Sequence, residues 1–198
     1  MRISTEPLTP ESWPTLERLF GANGACGGCW CMHWRMQRGA DWEREKGARN
    51  KRALKRLVTA GRAYGLFAYA KGEPVGWCCL GPRQDFPRLL RSRVLKSNAG
   101  LEAWAVVCFY IPARHRGQGI AGALARAAVR YARSRGASCI EGYPVRRGAD
   151  ATARYPATFA FTGVVRVFER AGLREVTPQD VQRPIYRRRF LRRKEDRK

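Results

Sequence analysis

Acidic residues are scarce in this chain, histidines scarcer, and no long apolar run is present. Its 198 residues hold 16 Asp and Glu against 39 Lys and Arg, a formal charge of +23, with only two histidines. No apolar stretch approaches the ~20 residues that a membrane-spanning helix needs, so no membrane partner is expected. The N-terminal MRISTEPLTPESW is polar, without the apolar core of a secretory leader, and a cytoplasmic protein is the expectation. The seven cysteines are an odd number, which argues against a secreted disulfide framework. There is no GxxxxGK[ST] stretch, which excludes a Walker loop.

What is abundant is arginine, 32 residues against seven lysines. Such a surface attracts polyanions, including nucleic acid, acidic proteins and phosphate esters. No nucleic-acid-binding motif accompanies the charge, so a solvated basic surface is the simpler reading. Length and an apolar content of 44% fit one domain over residues 1–190, followed by a basic tail at 191–198.

The strongest local signal runs from Val106 to Gly136. Ala105 to Ile111 is an apolar run suited to a buried strand, and Pro112 stops it. Gly117, Gly119 and Gly122 then open a helix in which Ile120, Leu124, Ala127, Ala128 and Tyr131 share one face, and Gly136 ends it. A strand feeding a glycine-rich turn and a helix N-terminus can bind phosphate, because the first turn has free N–H groups and the positive end of the macrodipole. The glycines match G-x-G-x-x-G, but five residues separate Ile111 from Gly117, so the dinucleotide fingerprint does not fit. Tight packing alone is the competing explanation of the glycines.

Around it, residues 2–6 read as a strand. Thr9-Pro10-Glu11-Ser12 reads as a helix start, with Trp13, Leu16, Leu19 and Phe20 as the apolar face. Asp41 to Gly61 reads as one charged helix. Tyr64 to Leu80 reads as a hairpin turning at Lys71-Gly72-Glu73, and Phe86 to Leu90 as a helical turn. Ser138 to Tyr143 is a short strand, Val164 to Ala171 a short helix, Arg174 to Val176 a strand, and Pro184 to Leu191 the last strand.

The stretch Cys26-Gly27-Gly28-Cys29-Trp30-Cys31-Met32-His33-Trp34 is the most unusual. Four soft ligands within eight residues are hard to close into a tetrahedron, so no metal site is assigned. A redox or regulatory disulfide between Cys26 and Cys29 and a thiol-rich buried wall are the other readings.

Ile111-Pro112, then Arg116-Gly117-Gln118-Gly119-Ile120-Ala121 with Leu124 following, resembles motif A of the GCN5-related N-acetyltransferases (GNAT). Phe168-Glu169-Arg170-Ala171-Gly172-Leu173 resembles a later segment of that family. The resemblance implies an α/β (α+β) fold: a mixed, mostly antiparallel central sheet flanked by helices, with splayed central strands forming the acyl-CoA cleft. It implies acetyl-CoA as donor, held by Phe109, Tyr110, Ile111, Arg114, Arg116, Gly117, Gln118, Gly119, Ile120, Ala121 and Phe168. It also implies that Trp30, Cys31, His33 and Trp34 shape the acceptor site. Similar Cys-Trp-Cys segments occur in uncharacterised bacterial members. The resemblance is compatible with a homodimer.

Acetyl transfer to an amine needs a deprotonated amine, a polarised thioester carbonyl and a protonated leaving thiolate. The family implies a backbone N–H at about Tyr110 or Ile111 for the carbonyl and a late-helix Tyr as acid. Here that position is Phe168, which has no proton to give. Tyr143, Tyr155, Cys108 and Thr162 are the substitutes considered. Glu141 is the first candidate base, then Glu102, then His33, and an ion pair with arginine is the alternative for either Glu. The expected function is acetyl transfer from acetyl-CoA to a primary amine of a small molecule or peptide, by direct attack in a ternary complex. A strongly cationic acceptor fits poorly with +23, and one carrying acidic groups fits better. The alternatives are an inactive module binding acyl-CoA or nucleic acid, and a cysteine-based redox or metal sensor.

Overall fold

The computed structural model describes residues 2–146, 160–177, 181 and 183–191. Tyr155, its neighbour Pro156 and residues 192–198 of the basic tail lie outside the described residues.

Seven strands form one sheet: β1 (Ser4–Pro7), β2 (Tyr64–Ala70), β3 (Glu73–Pro82), β4 (Ala103–Tyr110), β5 (Cys139–Gly142), β6 (Arg174–Glu175) and β7 (Tyr186–Arg189). Their spatial order is β1-β2-β3-β4-β5-β7-β6. All neighbours are antiparallel except β4 and β5, which run parallel. That parallel pair requires a crossover, and α5 (Ile120–Ser134) supplies it. The sheet is therefore mixed and mostly antiparallel, as expected.

Alternation along the strands sends side chains to two cores. On one face Leu66, Cys78, Leu80, Trp104, Val106 and Ile140 pack against Ile120, Leu124 and Ala128 of α5. On the other, Phe67, Trp77, Cys79, Ala105 and Val107 meet α1 (Trp13–Phe20), α3 (Ala48–Thr59) and the tryptophans of the cysteine-rich segment. Six short helical pieces complete the described residues: α2 (Trp42–Glu45), α4 (Pro87–Leu90), α6 (Val165–Glu169) and the 3₁₀ turns His33–Arg35, Arg83–Asp85 and Ala113–His115. No described helix is long and apolar enough to cross a membrane.

Two irregularities open the centre of the sheet. Cys79 faces Cys108 but Leu80 faces Val106, so Val107 is an extra residue bulged out of β4. The β4–β5 pairing runs only from Ala103↔Cys139 to Val106↔Gly142. Beyond it the N–H of Phe109 donates to the carbonyl of Phe161 at 2.6 Å, and Val145 bridges Val164. The two strands have parted by that point.

Several expected boundaries move. The first helix begins at Trp13 with Ser12 as its cap position, not at Thr9. Thr9 and Ser12 instead bond each other in a turn, Thr9 N to Ser12 Oγ at 2.9 Å and Ser12 Oγ to Thr9 O at 2.9 Å. The first strand is Ser4–Pro7, set by its register from Ser4↔Tyr69 to Pro7↔Leu66. The single helix expected over Asp41–Gly61 is two, broken at Gly47, whose N–H leaves the helical path to donate to Gly28 O at 2.9 Å. The hairpin loop is two residues, since Ala70 faces Glu73. Lys71 and Gly72 both take positive φ, 52° and 80°, the type I′ geometry that matches strand twist.

Candidate active site

The glycine loop read as phosphate-binding is built as its sequence demands. Gly119 is the cap of α5 at φ 80°, a left-handed conformation that suits glycine. Ile120 is buried and anchors the helix start over β3, where a Cβ on Gly76 would meet its Cγ2 at 2.6 Å. A Cβ added at Gly117 or Gly119 meets nothing within 4 Å, so the backbone lies open on its outer side. Arg116 donates from Nε to Ile111 O at 3.1 Å, and Gln118 from Nε2 to Arg114 O at 3.2 Å. An open glycine backbone, the free N–H groups of a 15-residue helix and the exposed side chain of Arg114 fit the pyrophosphate of an acyl-CoA.

A cavity of about 460 Å³ starts at this loop and follows the parting of β4 and β5. Phe109, Tyr110, Ile111, Arg116 and Ala121 line it, all expected donor-site residues. Cys31 and His33, expected on the acceptor side, line it too. Arg114, Gly117, Gln118, Gly119 and Ile120 belong to the loop beside it.

Trp30 and Trp34 do not reach the cavity. Trp30 is 4% exposed among Trp13 and Phe20, and Trp34 spends its indole N–H on the carbonyl of Val107 at 3.1 Å. They form the wall behind the site. Phe168 is likewise a core residue, fully buried, 5.9 Å from the Phe109 ring and pressed on Gly142, where a Cβ would come within 2.1 Å. The face that α6 offers to the cavity is Val167, with Val164 just before it.

The candidate bases fare differently from expectation. Glu141 is fully buried and does not line the cavity. Arg187 donates from Nε to its Oε1 at 2.8 Å, Ser97 Oγ donates to the same oxygen at 2.6 Å, and Tyr143 OH donates to Oε2 at 2.8 Å. Arg83 Nε lies 3.4 Å from Oε2. This is the ion-pair alternative: a network joining β3's end, β5, β7 and the loop at Ser97, with no lone pair turned to a substrate. Tyr143 belongs to the same network, and burial together with the Glu141 charge pushes its hydroxyl well above the usual range. Glu102 is exposed in the turn before β4 and also does not line the cavity.

His33 lines the cavity as a neutral ring. Burial, reinforced by the charges of Arg88 and Arg183, pushes its pKa down to about 4. Cys31 and Cys79 are buried thiols held well above the usual range. For Cys31 hydrogen bonding to Cys108 leads the effect, and for Cys79 hydrogen bonding to Cys31 does. All seven cysteines are thiols in this structure.

Sequence reasoning did not single out Ala25, Trp42, Phe161, Val164 or Val167, all on the cavity wall. Trp42 carried a faint signal, a tryptophan straight after the helix cap Asp41. The others are ordinary apolar residues that only the fold brings to this place.

The model of the Acetyltransferase (GNAT) family matches residues 30–155, more than half of the chain, which therefore belongs to that family. It is an N-acetyltransferase with acetyl-CoA as acyl donor. Among solved structures it resembles the PaiA N-acetyltransferase of Thermoplasma acidophilum in complex with coenzyme A. The TM-score is 0.53 at 15% identity, covering 96% of this chain and 100% of that one. It also resembles the aminoglycoside acetyltransferase AAC(6′)-Ib with coenzyme A and kanamycin, TM-score 0.56, 15% identity, 95% of each chain. The GNAT domain of S. lividans PAT gives a TM-score of 0.53 at 16% identity, over 94% and 89%. At these identities the likeness is one of fold. No curated protein matches the chain in sequence.

Proposed function

We propose that this enzyme acetylates a primary amine seated in the 460 Å³ cavity, by direct attack on the acetyl thioester with both substrates bound. One observation carries the reading. Arg116 and Ala121 of the phosphate-binding loop line the same cavity as Cys29, Cys31 and His33 of the cysteine-rich segment. A donor held at the loop and an acceptor held by that segment thus share one space, and proximity supplies much of the rate.

The residues divide the work. The open backbone of Arg116 to Ala121 takes the pyrophosphate, and Phe109 to Ile111 flank the thioester arm. Successive strand N–H groups point to opposite edges. Phe109 directs its own toward Phe161, while Tyr110 sits opposite Trp77 in the β3 ladder. Continued past the end of β4, this alternation favours the N–H of Ile111 over that of Tyr110 as the group that polarises the acetyl carbonyl. Among the described substitutes for the missing Tyr, Cys108 is the one on the cavity wall. Burial and neighbouring thiols outweigh its hydrogen bond with Cys31 and keep it protonated. It offers the departing sulfur a weak hydrogen bond, and solvent carries the proton.

The test is calorimetric titration with acetyl-CoA of the wild type, Gly119→Asn and Gly119→Glu. Asn tolerates the left-handed backbone, whereas Glu sets a carboxylate at the phosphate's place. Binding by the wild type and Gly119→Asn, lost in Gly119→Glu, supports the donor site. No binding by the wild type overturns it. Binding with no acetylation of any amine would favour a module that only binds acyl-CoA, a reading to which the buried Phe168 lends support.

A further inference from the structure

His33 is surrounded edge-on by aromatic rings. Trp34 lies 5.1 Å away at 89°, Trp42 5.8 Å at 73° and Phe161 5.9 Å at 75°. His33, Trp42 and Phe161 line the cavity, and Tyr110 faces it from β4. An aromatic box alone would welcome an ammonium group through its ring faces. Here the charges that act on His33 are of the wrong sign. Arg88 and Arg183 act on His33 from outside the cavity, and Arg116 lines its loop end. The thiols of Cys29, Cys31 and Cys108 on its wall are all held above the usual thiol range and bring no compensating negative charge. Among the described residues no carboxylate lines the cavity.

Resting on the reading above, we infer that the acceptor is an aromatic amine of the aniline type, bound uncharged with its ring among Trp42, Phe161 and Tyr110. Such an amine gives up its ammonium proton below neutrality, so it needs neither a base to activate it nor a carboxylate to receive it. An alkylamine is the opposite case. At neutral pH roughly a thousandth of it is uncharged, and the arginines and apolar walls disfavour the rest. Neutral His33 accepts a hydrogen bond from the amino group and orients it. The nitrogen then forms its bond to the acetyl carbon as the C–S bond breaks. The nitrogen loses one proton and the departing sulfur gains one, so the exchange is balanced without an enzyme base.

Initial rates with aniline and with phenethylamine, at saturating acetyl-CoA, decide the matter. Both carry a phenyl ring but differ in basicity. The expected result is a kcat/KM for aniline at least about tenfold above that for phenethylamine at neutral pH. Aniline should give a flat profile above about pH 6, while phenethylamine climbs tenfold per pH unit toward its own pKa. Phenethylamine outrunning aniline at neutral pH, or a flat phenethylamine profile revealing a base in the site, would overturn the inference. Trp42→Ala should raise KM for aniline about tenfold or more with the Kd for acetyl-CoA unchanged; an unchanged aniline KM would remove the ring from this seat. Acetyl-CoA binding without any turnover of aniline defeats this inference alone, whereas failure to bind acetyl-CoA defeats the donor site beneath it.

Discussion

The indole of Trp34 donates to the carbonyl of Val107 at 3.1 Å, across 73 residues of sequence. Val107 is the bulged residue of β4, so its carbonyl has no regular place in the β3 ladder. Trp34 thereby fixes the cysteine-rich segment to the strand proposed to flank the thioester. Trp34→Phe leaves that buried oxygen without its donor and should cost about 1–3 kcal/mol, read from urea midpoints. It should also raise KM for the amine more than KM for acetyl-CoA. Equal effects on both would mean that Trp34 positions nothing on the acceptor side.

Glu141→Gln separates a structural carboxylate from a base. Removing the charge leaves Arg83 and Arg187, both buried, facing a neutral amide. The loss should be about 3–5 kcal/mol of stability, measured by denaturant unfolding. The kcat of the folded fraction should hold within a few-fold. A general base would instead forfeit about a hundredfold or more in kcat, and that outcome would return Glu141 to the active site.

Phe168→Tyr restores the hydroxyl that the family resemblance expects, but in the core. The ring is fully buried against Gly142, Gly163 and Phe109. The added hydroxyl should cost about 1–3 kcal/mol and leave kcat unimproved. A clear rise in kcat would show that the hydroxyl reaches the departing sulfur.

His33 makes a pH prediction. Its folded pKa is about 4 against an ordinary 6.5, so between these values the unfolded chain binds a proton that the folded one refuses. Stability therefore falls as pH drops through that window, and His33 contributes no slope above it. His33→Gln abolishes this contribution. The stability difference between wild type and variant should shift against the wild type as pH falls from 6.5 toward 4. Parallel curves would mean that His33 titrates normally.

Much of this could be read from local pattern. The strand into Ile111, the stop at Pro112, the turn at Gly117 and Gly119 and the apolar face of α5 are short-range features, each set by neighbours within a few residues. Short-range physics gives them nearly the same form in any surroundings. The cavity wall was partly visible for the same reason, because Phe109 to Ile111 and Arg116 are sequence neighbours of that loop.

The rest depended on which side of the sheet a residue faced and what lay opposite. Glu141 had the composition of a tuned base, yet it shares its strand face with Tyr143 and lies under Arg83 and Arg187, more than 40 residues away in either direction. A strand pattern gives alternation but not the partner across the layer. Trp30 and Trp34 carried the same difficulty beside Cys31 and His33, since a turn with positive φ at Trp30 and Cys31 sends adjacent side chains to different environments. Sequence alone determined the shape of the loop proposed to hold a phosphate, because backbone conformation and free N–H groups are local. Tertiary structure decided which carboxylate is sequestered, which aromatics line the cavity and which charges surround His33, because burial and Coulomb interactions are summed over everything that packs nearby.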